Sequence, residues 1–161
     1  MSSMYHAGQQ SLQDRFDTRR LADRLEEVKV HAELSDADMQ FIAARDMLFL
    51  ATCDPSGQPT CSFKAGEPGF IRVLDRQTLA FPWYVGNGMY LSAGNADAWP
   101  GVGLLLIDFA GQRRLRLEGV AELVHGAEVL AEYPGAHPVP DWKRADWARD
   151  VLAAGDPAQG R

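Results

Sequence analysis

The first third of the chain has apolar residues at helical spacing among many charged ones. Between Gln9 and Val30 they lie roughly on one side of a helix, and this predicts one amphipathic helix over that range. The apolar positions are Leu12, Phe16, Leu21, Leu25 and Val28. Ser35 followed by Asp38 resembles a weak capping box, so a second helix is predicted to start there and to run to about Arg45.

From residue 47 the pattern changes to short apolar runs separated by turn residues. Asp54-Pro55-Ser56-Gly57 combines a turn-starting Asp, a φ-fixing Pro and a Gly that tolerates positive φ. Similar breaks occur at Glu67-Pro68-Gly69, Asp75-Arg76-Gln77 and Ala110-Gly111-Gln112. A short helix is predicted between Met89 and Ala98. The predicted strands are Met47 to Cys53, Thr60 to Lys64, Phe70 to Leu74, Thr78 to Trp83, Val102 to Phe109, and Arg113 to Val124.

Two of these strands indicate how their faces are buried. Val102 to Ile107 is apolar at nearly every position, which is typical of a strand covered on both faces, here by a core and by a helix or second subunit. Arg113 to Glu118 alternates, and this predicts inward leucines at 115 and 117 with an outward charged face.

Short strands joined by tight turns, after a helical start, predict a mainly β (α+β) fold. We expect a closed antiparallel barrel with peripheral helices. The expected organisation is one domain overall, with an N-terminal helical extension over 1–46, a barrel over 47–133, and a C-terminal loop and helix over 134–161. In that last segment, Trp142 and Trp147 are expected to anchor a helix between Asp141 and Leu152.

Composition narrows the classes of function. The 161 residues carry a net charge of −6, and this acidity argues against nucleic acid as the main partner. No apolar stretch approaches the roughly 20 residues of a membrane span, and the N-terminus lacks a signal-peptide core, so we expect no membrane contact and a cytoplasmic location. Cys53 and Cys61 are expected to be reduced thiols.

Several catalytic motifs are missing from the sequence. The chain contains no Gly-x-Ser-x-Gly elbow and no Walker A loop, and Gly101-Val102-Gly103 opens a strand rather than a helix. The four histidines are isolated, so no metal site is expected. These residues are His6, His31, His125 and His137.

Three stretches carry a family resemblance. The first is Phe49 to Pro59, which combines a strand with the Asp54 turn. The second joins Gly69 to Leu74 with Leu79 to Trp83 and Gly86-Asn87-Gly88. The third joins Val102 to Phe109 with Arg113 to Gly119. In order and spacing they resemble the pyridoxamine 5′-phosphate oxidase-like, FMN-binding split-barrel family.

The resemblance implies a six-stranded antiparallel split barrel that binds FMN at the two-fold interface of a homodimer. It suggests that the flavin ring contacts two neighbouring strands, the phosphate contacts a glycine-rich loop, and Arg114 takes the place of a flavin-contacting Gln. Lys64, Arg72 and Arg114 are candidate donors to the phosphate, because phosphate favours charge-assisted bonds. The candidate cofactor-binding residues are Lys64, Phe70, Ile71, Arg72, Val73, Phe81, Pro82, Trp83, Asn87, Gly88 and Arg114.

Each of these positions also has an ordinary structural interpretation. Gly86-Asn87-Gly88 fits any turn that needs left-handed backbone. Arg114 and Arg116 fit a solvated face or dimer salt bridges, and Phe81 and Trp83 fit a core or an interface.

The chain departs from the true vitamin B6 oxidases, because it lacks their "SRK" phosphate motif and their "RLHDR"-like substrate motif. It is more similar to a subgroup with "GNG" and "GN" elements, here Gly86-Asn87-Gly88 and Gly94-Asn95. The expected function is an FMN-dependent oxidoreductase acting on a small molecule. The alternatives are a flavin-binding or flavin-sensing protein without turnover, and a split barrel that binds a deazaflavin, haem or no cofactor.

Overall fold

The computed structural model of the chain describes residues 4–84 and 88–124. The chain divides into two compact units, Met1–Ser35 and Asp36–Arg161. The predicted C-terminal helix with Trp142 and Trp147 lies outside the described residues, as do Asn87, His125 and His137. The expected barrel limits at 47 and 133 therefore stay a prediction.

The first unit consists of two helices, α1 (Ala7–Arg15) and α2 (Arg19–Lys29). The single helix predicted from Gln9 to Val30 is wrong, because Asp17 adopts a left-handed conformation with φ of 53°. Thr18 N–H donates to the Gln13 carbonyl and Asp17 N–H to the Asp14 carbonyl, which closes α1 as a Schellman motif. Asp tolerates this conformation better than most residues, so the apolar periodicity continues while the helix stops.

The apolar side predicted for this region is exposed rather than buried. All five of its large side chains retain more than 40% of their surface, from Leu25 at 44% to Phe16 at 67%. Helical periodicity identified a continuous apolar side, but it did not establish what covers that side.

The described residues of the second unit form two helices and six strands. The helices are α3 (Asp36–Ala43) and α4 (Leu91–Ala98). The strands are β1 (Met47–Cys53), β2 (Pro59–Ala65), β3 (Arg72–Val73), β4 (Leu79–Ala80), β5 (Gly101–Asp108) and β6 (Arg113–Val120). This α+β architecture confirms the predicted fold class.

The six strands form two antiparallel sheets. One has the order β2-β1-β5-β6, and the other is the β3-β4 hairpin. Within the described residues the larger sheet is not closed into a barrel. The hairpin strands have two residues each, shorter than predicted: Phe70 and Ile71 are buried outside any ladder, and Pro82 has no N–H to extend β4.

The four-stranded sheet has an inner face that forms the core and an opposite, outer face. The inner face carries Leu48 and Leu50 of β1 and Leu104 and Leu106 of β5, each at most 8% exposed. Other elements of the same unit contribute further buried apolar side chains, namely Phe41, Ile42, Phe70, Ile71, Ala93 and Ala96.

The two strands singled out by their patterns differ in outcome. On β6 the predicted alternation is confirmed, because Arg114 and Arg116 are exposed while Leu115 and Leu117 are half-buried. On β5 the inner face is buried at Leu104 and Leu106, whereas Leu105 and Ile107 of the outer face are half-buried, so the expectation of two covered faces is met in full on one side only. The apolar pattern of β5 does not distinguish a face covered by residues of the same chain from a face covered by a second chain.

The β5–β6 turn contains a hydrogen-bonded carboxylate. Asp108 Oδ1 accepts from Gly111 N–H at 2.9 Å, and the Arg45 guanidinium lies 3.6 Å from the same oxygen. A Cβ on residue 111 would come to 2.5 Å from Asp108 Oδ2, so a larger residue there would displace the carboxylate from this position. The Gly111 bond, with the charge of Arg45 in support, lowers the pKa of Asp108 below its ordinary value of 3.8.

This carboxylate gives a pH-dependent contribution to stability. Because its pKa is lower in the folded state, the contribution is complete above pH 3.8 and is lost as the pH falls through the lowered folded value. Asp108→Asn should therefore reduce stability at pH 7, and the difference from wild type should shrink in acid. Urea denaturation at several pH values measures this, with Glu118→Gln as the exposed control on the same hairpin. A difference that stays constant from pH 7 to 3 would contradict the assignment.

Candidate functional site

The inner face of β2 carries a row of polar side chains in an otherwise apolar core. Thr60, Ser62 and Lys64 alternate along the strand and lie opposite Thr52, Leu50 and Leu48 of β1, all of which are buried. We call Thr60, Ser62 and Lys64 the polar stripe.

Helix α4 is bound to this stripe by side-chain hydrogen bonds. Ser92 Oγ donates to Ser62 Oγ at 3.0 Å. The Asn95 carboxamide donates to Oγ1 of both Thr52 (3.2 Å) and Thr60 (3.3 Å), and these two hydroxyls are themselves 2.8 Å apart. The five side chains form one polar cluster between the helix and the β1–β2 hairpin.

These contacts determine the direction of α4. Asn95 contacts the stripe at Thr60 and Ser92 contacts it at Ser62, so the helix runs antiparallel to β2. From Ser92 to Asn95 the helix axis rises about 4.5 Å, and from Thr60 to Ser62 the strand advances about 6.7 Å. The N-terminal end of α4 therefore points along the stripe towards Lys64.

Lys64 is a half-buried cation beside an aromatic ring. Its Nζ lies 3.6 Å from the centroid of the Trp83 ring, a cation–π contact. Within residues 4–84 and 88–124 its ammonium has no carboxylate partner. Burial lowers the pKa of Lys64 from its ordinary 10.5, which is the expected result of removing water without adding a counter-ion.

The start of α4 lacks the usual side-chain cap. Tyr90 occupies the N-cap position in a left-handed conformation and makes no capping hydrogen bond through its side chain, and the first turn has no acidic residue. The first N–H groups of a helix have no intrahelical partner and carry a partial positive charge. Gly88, two residues earlier, also has positive φ (74°) and leaves space where a Cβ would be. This end of the helix therefore suits an anion.

The other predicted cofactor residues fall into separate groups. Phe81 and Pro82 are half-buried beside Trp83 in the chain, after β4. Phe70 packs against Gly66, where a Cβ would lie 2.7 Å from the Phe70 Cβ. Ile71, Arg72 and Val73 line a shallow groove of about 530 Å³ between β3 and α3.

Arg114 is separated from Lys64 within the chain. It lies opposite Ile107 on the outer face of β6, whereas Lys64 is on the inner face of β2. The two strands are the opposite edges of the four-stranded sheet, about 14 Å apart at the usual strand spacing. The structure brings Lys64 and Trp83 together, but it does not bring Arg114 to them.

The sequence interpretation missed the polar cluster. Thr52, Thr60, Ser62 and Ser92 had no assigned role, and Asn95 was noted only as part of a Gly-Asn element. The available signal was the alternation of Thr60, Ser62 and Lys64 on one face of a predicted strand.

No group of three or more potential metal-ligating side chains occurs in the described part of the chain. The helices described there are too short or too polar to cross a membrane.

The sequence matches the profile of one protein family. The sequence profile of the family described as "Pyridoxamine 5′-phosphate oxidase" matches residues 34–152. Comparison with curated proteins finds no match.

Similar solved structures include HupZ of Group A Streptococcus, at 21% identity and a TM-score of 0.48 over 61% of this chain and 73% of that one. HutZ, the heme storage protein from Vibrio cholerae, has 21% identity and a TM-score of 0.45 over 63% and 73%. A conserved hypothetical protein from Mycobacterium tuberculosis has 22% identity and a TM-score of 0.48 over 77% and 76%. The profile match extends over more than half of the sequence, and the chain belongs to the pyridoxamine 5′-phosphate oxidase family.

Proposed function

We propose that this chain binds FMN and acts as an FMN-dependent oxidoreductase on a small molecule. The observation that carries the proposal is the half-buried Lys64 ammonium, without a carboxylate partner in the described residues, at the place to which the N-terminus of α4 points. Membership of the family supports a flavin as the ligand of such a site.

The residues fit the phosphate of FMN. A dianionic phosphate needs charge-assisted donors and backbone N–H groups with little steric hindrance. Lys64 supplies the charge, the start of α4 supplies the N–H groups, and Gly88 permits close approach. Phosphate would also provide a counter-ion, which Lys64 does not have among the described residues, so binding stabilises both partners.

The residues around Lys64 also suit the ring system. Trp83, with Phe81 and Pro82, offers an apolar surface next to the cation, and the segment from Phe70 to Val73 is proposed to approach the ring through its backbone. When bound, FMN supplies hydride and electron transfer, so this chain need not provide a nucleophile. The protein's part is to bind the phosphate, orient the ring and exclude water.

The proposed assembly is a homodimer. Arg114 and Lys64 are on opposite faces and opposite edges of one sheet, so contact of both with one FMN requires two copies of the chain. The outer face that carries Arg114 also has half-exposed Leu105 and Ile107, and Phe63 of the same face is 59% exposed. This partly exposed apolar surface supports contact of the outer face with a second copy of the chain. We propose a cytoplasmic location for this dimer.

The first test is the absorbance spectrum of purified protein incubated with FMN and desalted, with riboflavin, a deazaflavin and haem as parallel ligands. We expect retained visible flavin bands at about one FMN per chain, and reduction of the bound flavin by a nicotinamide or another small-molecule donor. Retention of FMN without turnover would indicate a binding or sensing role. Protein that stays colourless with both flavins would overturn the proposal, and uptake of haem or deazaflavin instead would identify the alternative ligand.

A further inference from the structure

We propose that Asn95 is the positioning residue of the phosphate site, because its carboxamide fixes where α4 begins relative to Lys64. This inference rests on the proposed function, since it concerns the same site. It is carried by the two hydrogen bonds from Asn95 Nδ2 to Thr52 and Thr60.

Apolar packing alone specifies the position of α4 poorly. The buried apolar side chains of the helix are Ala93 and Ala96, which are small and have no atoms beyond Cβ. The larger Leu91 at the start of the helix is 56% exposed. Contacts between alanines and a sheet change little when a helix slides or rotates by a fraction of a turn, because they have no long side chains to interdigitate.

The hydrogen bonds of Asn95 are sensitive to such movement. A hydrogen bond weakens steeply outside a narrow range of distance and angle, and one amide here serves two hydroxyls that also contact each other. Thr52 is 4% exposed, and movement of α4 would leave its buried hydroxyl with Thr60 as its one remaining partner among the described residues. Asn95 and Ser92 are one helical turn apart and contact stripe positions two residues apart, which sets both the rotation and the axial position of α4.

The position that Asn95 gives to α4 affects the N-terminal end of this helix. Tyr90 and Gly88 come directly before α4, and Lys64 is the next stripe residue after Ser62. A shift of α4 away from the stripe would separate its first N–H groups from the Lys64 ammonium without changing either group chemically. Asn95 is therefore expected to affect affinity for the phosphate more than affinity for the ring.

The experiment measures the dissociation constants of FMN and riboflavin, which differ only in the phosphate, by quenching of flavin fluorescence. In wild type we expect FMN to bind more tightly. In Asn95→Ala the ratio of the riboflavin constant to the FMN constant should fall by about threefold or more. Asp97→Asn, an exposed change on the same helix, should leave the ratio unchanged.

A second pair of variants separates positioning from general destabilisation. Thr60→Ser keeps the hydroxyl that Asn95 contacts and should retain the ratio, whereas the nearly isosteric Thr60→Val should lower it. Hydrogen exchange of the flavin-free protein gives a readout without ligand. Amides of α4 should exchange faster in Asn95→Ala and Thr60→Val, with β5 amides unchanged.

The outcomes are distinguishable. A wild-type ratio near one would overturn the phosphate site itself and, with it, the role of Asn95. A high wild-type ratio that persists in Asn95→Ala and Thr60→Val would overturn only the positioning role and leave FMN binding intact. Equal losses of affinity for both ligands would show that Asn95 supports the fold as a whole, and would also overturn the inference.

Discussion

Replacing Lys64 with methionine is expected to weaken FMN binding by about 10- to 100-fold, the usual size of one lost charge-assisted hydrogen bond. Methionine preserves an unbranched, apolar stem beside Trp83 and removes only the ammonium. Riboflavin affinity should change by less than about twofold, since this ligand has no phosphate for the ammonium to contact. Fluorescence titration with the two ligands measures both effects.

The matched control is Lys29→Met, which removes the same charge from an exposed position at the end of α2. It should leave both affinities unchanged, because an exposed charge is screened by water and salt. Equal losses for FMN and riboflavin in Lys64→Met would place Lys64 at the ring rather than at the phosphate. Unchanged FMN affinity would contradict the proposed site.

The pH dependence of binding provides an independent check on the same residue. Because burial lowers the pKa of Lys64, its ammonium loses its proton at a lower pH than an exposed lysine would. FMN affinity should fall as the pH rises through that lowered value, while riboflavin affinity should not. Lys64→Met should remove this alkaline decrease.

Replacing Leu106 with alanine is expected to reduce the free energy of unfolding by about 2–5 kcal/mol, the range for removing a fully buried leucine. Leu106 is 0% exposed on the inner face of β5, and its strand partner on that face is the half-buried Leu115. The truncation loses apolar burial and leaves a cavity that the surrounding strands fill only partly. Urea denaturation followed by circular dichroism measures the change.

Leu105→Ala is the control for this core prediction, one residue away on the half-exposed outer face. In a monomer it should cost clearly less than Leu106→Ala, because part of the side chain is already in contact with water. A comparable loss would contradict the difference in burial within one chain. A midpoint that rises with protein concentration would then identify a second copy as the cover of the outer face, because association stabilises by mass action.

The sequence determined those features that depend on neighbouring residues. β1 has its predicted ends, and the Asp54 turn forms as its residues require, with the carboxylate accepting from Ser56 N–H and Gln58 N–H and with Gly57 at φ of 90°. The alternation on β6 was equally local. Turn chemistry and period-two patterning act within a few residues, and this is why both could be predicted.

Other features required contacts between distant parts of the chain. The lengths of β3 and β4 depend on packing around the buried Phe70 and Ile71. Propensity cannot decide such cases, because tertiary contacts of similar free energy override it.

The features of the candidate site also divide into those that the sequence predicted and those that depend on the tertiary structure. The sequence by itself identified the family, the loop at Gly88 and three cations, Lys64, Arg72 and Arg114, as candidates. Only the tertiary structure decided that Lys64 lies against Trp83 on the inner face, that Arg114 is on the other face, and that Asn95 directs α4 towards Lys64. The physical reason is that strand register, which no local pattern specifies completely, selects the face and the neighbours of every side chain in a sheet.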